Sequence, residues 1–235
     1  MQFWTHSSFA ILVSSFRRVP APVFTPDLVR CVMNFSYWLG YRFFRELARG
    51  LYDFRVIGSE KLHFDGPALI ACNHVSFLDP PFVGQAFNDA IHYFARKTLF
   101  DHPIAGAILR SWQTIPIDRD KPDAASLKAT IRLLRDGKKV LIFPEGTRSP
   151  DGNLQSAEAG VGLFIAKANA PVLPVRLFGT REAYPRGAKT LHQARVTLVV
   201  GELWKPDVKQ YPQTGKDLYQ ALADEVMTRI AGLSL

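Results

Sequence analysis

The feature that most constrains the fold of this chain is the alternation of short apolar runs with longer segments of helical periodicity. The runs Ala68–Cys72 and 138–143 follow turn residues and are almost continuously apolar, which is typical of strands buried on both faces. Between them, Leu127, Ile131 and Leu134 recur at helical spacing. This alternation predicts an α/β fold with a mixed, mostly parallel sheet flanked by helices, whose functional residues collect at strand ends.

The rest of the chain continues the pattern. Asp79 followed by two prolines is interpreted as the N-cap of a helix, and Thr214 as the start of a capping box. The other predicted elements are strands at 54–58, 172–178 and 195–200, a helix at 156–168, and a C-terminal helix whose core stripe is Leu218, Leu222, Val226 and Ile230.

Length and charge narrow the classes of protein that remain. The 235 residues have room for one α/β domain and an appendage. With 29 Lys and Arg against 21 Asp and Glu, the net charge is +8, which favours an anionic partner. The sequence has no zinc-finger spacing, RNP aromatic signature or P-loop, so no nucleic-acid partner is expected. Cys31 and Cys72 support no disulfide framework and fit a reducing cytosol.

Residues 1–50 have a different composition: they are rich in aromatic side chains, and arginine is their only residue that is cationic at neutral pH. Eleven uncharged residues separate Arg30 from Arg42, and as a helix they would reach roughly 16 Å, short of the roughly 30 Å hydrocarbon core. We therefore expect residues 1–50 to be a helical segment that docks on a membrane surface, followed by a folded domain at 51–235. The alternative is a helix packed on the domain's own core.

The first strand end with unusual residues comes after Ala68–Cys72. His74 lies there, and Asp79 comes five residues later. On one regular helix that separation rotates two side chains about 140° apart, so contact between them requires a turn between strand and helix. In such a turn the carboxylate can hold the imidazole in one tautomer and stabilise its protonated form, as a general base acting on an alcohol needs. Taken alone, the two residues also fit a polar strand end and a helix N-cap.

The second strand end comes after the run 138–143. Gly146 would let a ligand approach the backbone, Arg148 offers a planar fork to a phosphate, and Glu145 could accept hydrogen bonds from a polyol or orient an arginine. Another apolar run ends in Arg119, a second candidate for binding phosphate. Considered singly, these are features of an ordinary surface turn and a solvated charge.

Together these residues resemble the glycerolipid acyltransferases of the 1-acylglycerol-3-phosphate acyltransferase type, over about residues 51–203. One departure is the segment 157–160, Ala-Glu-Ala-Gly, where the family commonly shows basic residues before the glycine. The four blocks that carry the resemblance, in the family's order, are Asn73-His74 with Asp79, Ile117-Asp118-Arg119, the complete Phe-Pro-Glu-Gly-Thr-Arg-Ser at 143–149, and Val-Leu-Pro-Val at 172–175.

The resemblance implies roles for the site residues. His74 would be the base and Asp79 its partner, and Arg119 and Arg148 would bind the acceptor's phosphate. The residues implied to line the acceptor pocket are Glu145, Gly146 and Thr147. No cofactor and no metal are expected, since nothing fixes further ligands beside His74 and Asp79.

The implied reaction moves a fatty acyl group from the thioester of acyl-CoA or acyl carrier protein to the free hydroxyl of lysophosphatidic acid, giving phosphatidic acid. The enzyme would be peripheral or monotopic at the cytoplasmic face of the cell membrane. Ser76 lacks the Gly-x-Ser-x-Gly elbow of hydrolases, so direct transfer without an acyl-enzyme is expected.

Two classes of function stay open on the residues alone: the enzyme, and a non-catalytic membrane-binding relative whose pocket holds an anionic lipid. The intact His74, Asp79 and Glu145 favour the enzyme, because a lipid-holding protein needs the arginines but not the base. Within the enzyme class, glycerol 3-phosphate or another lysolipid are alternative acceptors.

Overall fold

The computed structural model describes residues 35–118 and 124–235. Three short 3₁₀-helices, η1 (Ser59–Leu62), η2 (Lys97–Phe100) and η3 (Val208–Gln210), lie between the main elements. The α-helices are α1 (Phe35–Leu51), α2 (Asp79–Gly84), α3 (Pro103–Ser111), α4 (Ala124–Arg135), α5 (Gly160–Ala168), α6 (Thr180–Ala183) and α7 (Gly215–Ala231). The strands are β1 (Arg55–Ile57), β2 (Ala68–Cys72), β3 (Tyr93–Arg96), β4 (Thr114–Ile117), β5 (Lys139–Ile142), β6 (Val172–Phe178) and β7 (Thr197–Val200).

The main sheet has five strands in the order β1-β7-β6-β2-β5. β2 is parallel to both of its neighbours, β1 is parallel to β7, and β6 and β7 are antiparallel. The parallel pair β3-β4 continues this sheet, because a parallel bridge joins His92 to Val140 of β5. The prediction of a mixed, mostly parallel sheet flanked by helices is confirmed.

The core lies on both faces of this sheet, as the strand β2 shows. Side chains alternate along a strand, so Ile70 and Cys72 enter one apolar cluster and Leu69 and Ala71 enter the other. Helices α1 and α2 cover the first cluster, whereas α5 and α7 cover the second. All five residues of β2 are buried, as its apolar run predicts, so the turn at its carboxyl end starts from a rigid support.

Two predicted helix starts are wrong in detail. The helix α2 begins at Asp79 with Leu78 as its N-cap, because the Asp79 carboxylate instead bonds to the turn before the helix. Thr214 is the N-cap of α7, but its side chain makes no capping hydrogen bond, so no capping box forms. The predicted core stripe of α7 is buried at Leu222, Val226 and Ile230.

Helix α1 has two unlike faces. Its inner face packs on the domain through Tyr37, Tyr41 and Ala48, and the Trp112 Nε1 donates to the Ser36 carbonyl oxygen at 3.1 Å. Its outer face exposes the apolar stripe Phe35, Leu39 and Phe43. The described part of the predicted N-terminal segment is therefore joined to the domain, while its residues 1–34 lie outside the described residues. No helix of the described ranges is both long and apolar enough to cross a bilayer.

Candidate active site

The site lies where β2 and β5 end side by side. Ala71 is opposite Ile142 in the parallel register, so the residues that leave the two strands meet at one edge of the sheet. The His74 backbone N–H donates to Glu145 Oε1 at 2.8 Å, and the Ser149 N–H donates to the His74 carbonyl oxygen at 2.7 Å. Both polar groups of the His74 main chain are thus bound by the segment 143–149 at the end of β5.

His74 and Asp79 are in direct contact. Nδ1 of the ring lies 2.8 Å from Asp79 Oδ2, and both side chains are buried. The same oxygen accepts the N–H groups of Val75 and Ser76 at 2.7 Å each, so the turn wraps around the carboxylate. Because an ionised carboxylate only accepts, Nδ1 carries a proton and Nε2 of the neutral ring keeps its lone pair. The arrangement provides a base with a fixed tautomer.

The His74 ring is also held by stacking. The Phe143 ring lies nearly parallel to it, with centroids 3.9 Å apart and an angle of 17° between the planes. Since the hydrogen bond to Asp79 fixes one ring nitrogen and the stack fixes the ring plane, the direction in which Nε2 points is determined. A base held in this way needs little reorganisation before it accepts a proton.

Glu145 is part of the scaffold. Its side chain is buried, with the residue 3% exposed, and its second oxygen, Oε2, accepts the Gln155 N–H at 3.1 Å. Burial raises the pKa of Glu145 above its ordinary value, and the hydrogen bonds from the His74 and Gln155 backbones oppose that rise. Each carboxylate oxygen is therefore engaged by a backbone N–H group.

The loop after Glu145 is exposed and turns sharply. Gly146 has a φ of 67°, a region that side-chain-bearing residues rarely adopt, and its N–H donates to the Phe143 carbonyl oxygen. Gly146 and Thr147 are both open to solvent. The Arg148 guanidinium carbon lies 3.5 Å from the centre of the Phe77 ring, which belongs to the His74 turn. The loop and the turn therefore contact each other by side chains as well as by backbone.

Arg119 lies outside the described residues. The strand before it, β4, ends at Ile117 and runs parallel to β3, which is itself bridged in parallel to β5. The described end of β4 therefore points to the edge of the sheet that carries His74 and Glu145.

Three contributors to the site were not predicted from the sequence. Asn73 binds the main chain of β6 by two hydrogen bonds: its Nδ2 donates to the Leu177 carbonyl oxygen at 3.0 Å, and its Oδ1 accepts the Leu177 N–H at 2.7 Å. Phe143 stacks on the base, and Gln155 acts through its backbone. Asn73 and Phe143 stand in the motifs but do not ionise, so reasoning from reactive groups passes over them. The role of Gln155 has no signal in the sequence.

The Ser76 hydroxyl and the Cys72 thiol, two potential nucleophiles near His74, are both in environments that disfavour nucleophilic attack. The Ser76 hydroxyl donates to the Tyr184 carbonyl oxygen at 2.8 Å and accepts the Leu78 N–H at 3.1 Å, which accords with a structural role. Burial raises the pKa of the Cys72 thiol well above its ordinary value, so the thiolate is disfavoured. Within residues 35–118 and 124–235, no three His, Cys, Asp or Glu side chains group as a metal ion requires.

Comparison with known proteins agrees with this fold. The sequence model of a family described as Acyltransferase matches residues 53–177. This α/β protein with a buried His–Asp pair therefore belongs to the acyltransferase family. Within that family, individual relatives confirm the resemblance to the 1-acylglycerol-3-phosphate acyltransferases.

These relatives come from bacteria and plastids. The 1-acyl-sn-glycerol-3-phosphate acyltransferase of Bacillus subtilis is 29% identical over 181 residues, covering 76% of this chain and 87% of the relative. The chloroplastic enzyme LPAT1 of Arabidopsis thaliana is 32% identical over 153 residues, covering 63% of this chain and 43% of the relative. The crystal structure of the acyltransferase PlsC from Thermotoga maritima superposes with a TM-score of 0.67 and 26% identity, covering 84% of this chain and 80% of that chain.

Proposed function

We propose that this protein transfers a fatty acyl group from an acyl thioester to the free hydroxyl of 1-acylglycerol-3-phosphate, giving phosphatidic acid. The observation that carries the proposal is the buried His74–Asp79 pair, in which the carboxylate fixes the tautomer of a base at a strand end. The acceptor is supported by the names of the relatives, which are 1-acyl-sn-glycerol-3-phosphate acyltransferases. Acyl-CoA and acyl carrier protein are the two donors to test.

The proposed chemistry is one direct displacement. Nε2 of His74 takes the proton of the acceptor hydroxyl as that oxygen attacks the thioester carbon, so a C–O bond forms. The C–S bond then breaks, and the thiolate leaves with the proton that the imidazolium returns. Asp79 stabilises the imidazolium while it exists, and no acyl-enzyme intermediate is required.

The phosphate of the acceptor is assigned to Arg148 and Arg119. The Arg148 guanidinium carbon lies 3.5 Å from the centre of the Phe77 ring, and a guanidinium is a planar fork that matches the geometry of a phosphate. Gly146 and Thr147 would line the acceptor pocket as exposed residues of the same loop. Glu145 is reassigned from this pocket to the support of His74, since its oxygens already bind two backbone N–H groups.

Membrane association is part of the proposal. The exposed stripe Phe35, Leu39 and Phe43 of α1 has Arg42 and Arg49 on the same helix, a pattern suited to a helix lying in the headgroup region. The acceptor is itself a bilayer lipid, so an enzyme seated on the surface reaches it directly. We assign the protein to the cytoplasmic face of the cell membrane, as a peripheral or monotopic enzyme.

The alternative function is a non-catalytic protein that holds an anionic lipid. Such a protein has no use for a buried base with a fixed tautomer, so the His74 geometry favours the enzyme. The deciding experiment supplies the full chain, in detergent micelles, with acyl-CoA or acyl carrier protein thioester and with lysophosphatidic acid, glycerol 3-phosphate or another lysolipid. Phosphatidic acid is the expected product. Binding of the anionic lysolipid without product from any pair would establish the alternative.

Arg148→Lys is expected to raise the KM for lysophosphatidic acid by about tenfold and to leave the KM for the thioester unchanged. Lysine keeps the charge but loses the two-pronged grip on phosphate, and a loss of about 1.4 kcal/mol corresponds to that factor. Steady-state kinetics with each substrate varied in turn measure both constants. The matched control is Arg132→Lys, an exposed arginine on α4. A change confined to the thioester KM would place Arg148 in the donor site.

Glu145→Gln is expected to lower kcat by about ten- to hundredfold while the acceptor KM changes less than twofold. An amide nitrogen cannot accept an N–H group, so one of the bonds to His74 and Gln155 is lost, at about 1.5 to 3 kcal/mol. The melting temperature should fall as well. Glu158→Gln, an exposed neighbour of Gly146, serves as the control. A raised acceptor KM at normal kcat would return Glu145 to the acceptor pocket.

A further inference from the structure

Two helices of equal length and similar composition are treated differently by this fold. Helix α5 has nine residues and buries Val161, Gly162, Phe164 and Ile165 between the sheet and α7. Helix α3 also has nine residues, Pro-Ile-Ala-Gly-Ala-Ile-Leu-Arg-Ser, yet Gly106 is its one buried residue. A helix this apolar is ordinarily covered, so its exposure indicates a surface that meets something other than water.

The uncovered side chains of α3 and the preceding η2 form one patch. Gly106 lies so close to the Phe100 backbone that a Cβ there would overlap the carbonyl oxygen, which fixes α3 against η2. The patch consists of Leu99, Ile104 and Ile108, which are 49%, 69% and 43% exposed. We name these three residues the α3 patch.

The chain path places this patch near the site and near α1. β3 runs parallel to β5, so η2 begins at the edge of the sheet that carries His74, and α3 leads back from that edge to the start of β4. At its far end α3 touches α1, where Ser36 Oγ donates to Ser111 Oγ at 2.6 Å. The α3 patch therefore lies between the site edge and the helix whose outer stripe is exposed.

The charges around the patch indicate which partner it fits. Over residues 96–111 the side chains that are cationic at neutral pH are Arg96, Lys97 and Arg110, all exposed, and Asp101 is the acidic one. Apolar side chains rimmed by cations match the boundary between lipid tails and anionic headgroups.

We propose that η2 and α3 are a second bilayer-contact element, which inserts the α3 patch among acyl chains and sets Lys97 and Arg110 against anionic headgroups. The inference rests on the proposed function, because an acceptor in the bilayer gives the element its purpose. With α1 and α3 both in contact with lipid, two adjacent elements fix the orientation of the protein on the membrane, whereas contact through α1 alone would allow rotation about the axis of that helix. The site edge, where η2 begins, then stays close to the membrane.

The test is sedimentation of the full chain with vesicles of phosphatidylcholine and phosphatidylglycerol. The double variant Ile104→Ser, Ile108→Ser should bind at least tenfold more weakly than the unaltered chain, because two large apolar side chains no longer enter the lipid. The matched control is Ile57→Ser. Ile57 is 47% exposed on β1, the strand at the edge of the sheet farthest from β5. This control should bind as the unaltered chain does.

Activity in detergent micelles separates this inference from the proposed function. Both variants should keep it, whereas absence of product from the unaltered chain would defeat the function and leave the vesicle result standing. The proposal of a second contact element would be overturned if the double variant bound vesicles as the unaltered chain does. It would also be overturned if the double variant changed the oligomeric state and not vesicle binding. If the double variant fails to fold, Lys97→Ala with Arg110→Ala serves instead, and should weaken binding to anionic vesicles but not to neutral ones.

Discussion

His74→Ala should slow acyl transfer by about 10²- to 10⁴-fold while the protein stays folded. The ring is the base, and its Nε2 is the nitrogen that the contacts with Asp79 and Phe143 leave for the acceptor hydroxyl. The backbone bonds of His74 to Glu145 and Ser149 do not depend on the side chain and should hold the turn in place. The measurements are kcat with acyl-CoA and lysophosphatidic acid, and the melting temperature.

A second histidine provides the control for this substitution. His63 is exposed and lies just after η1, before the start of β2, so His63→Ala should leave kcat unchanged. Binding of lysophosphatidic acid by His74→Ala should be retained, since the phosphate is assigned to arginines. Near-normal turnover by His74→Ala would show that His74 is not the general base.

Asp79→Asn should produce a loss of activity of similar size, about 10²- to 10⁴-fold. If the amide nitrogen faces His74, it forces the ring into the tautomer in which Nε2 carries the proton and cannot accept another. If the amide oxygen faces His74, the nitrogen takes the place of Oδ1, a buried atom with no hydrogen-bond partner. In either orientation the imidazolium loses the charge that stabilises it.

A double-mutant cycle tests whether His74 and Asp79 act as a unit. The double variant His74→Ala, Asp79→Asn should be about as slow as His74→Ala alone, because a partner without its base has nothing to stabilise. Multiplicative losses would show that Asp79 acts independently of His74. Asp79→Asn should also unfold more easily, by about 1 to 3 kcal/mol, since three hydrogen bonds to a charged acceptor become weaker or are lost.

For strands buried on both faces, the sequence predicts the bounds better than it predicts the ends of the helices, whereas β3 is not predicted at all. The bounds of β2 and β6 agree with the apolar runs, because a strand buried on both faces cannot shift its register without exposing apolar side chains. Helix α5 begins at Gly160 instead of 156, since the Glu158 N–H donates to the Pro144 carbonyl oxygen and so holds the chain against the Glu145 loop. That bond joins residues from different parts of the chain, and periodicity does not detect it.

The features of the site also divide into those that the sequence predicts and those that it does not. A turn that brings His74 to Asp79 can be predicted from their spacing and the prolines after Asp79, because the local chain decides it. The partners of Glu145 cannot, since a carboxylate beside a loop can bind a substrate or a backbone, and tertiary packing selects the backbone. The packing of α1 on Trp112 is likewise a long-range contact that the spacing of residues does not specify.

Two hydrogen bonds join the main chain of His74 to the segment 143–149, one to the Glu145 side chain and one from the Ser149 N–H, so the base and this segment are linked directly. The spacing between His74 and the Glu145 loop is therefore set by direct hydrogen bonds and not only by the strands that precede them. In the intervening chain, the stretch from η2 through α3, residues 97–111, carries none of the residues assigned to the base, to its partner or to the phosphate. This part could therefore be lengthened, shortened or exchanged in evolution to suit another donor or another membrane, with the proton-transfer geometry inherited intact.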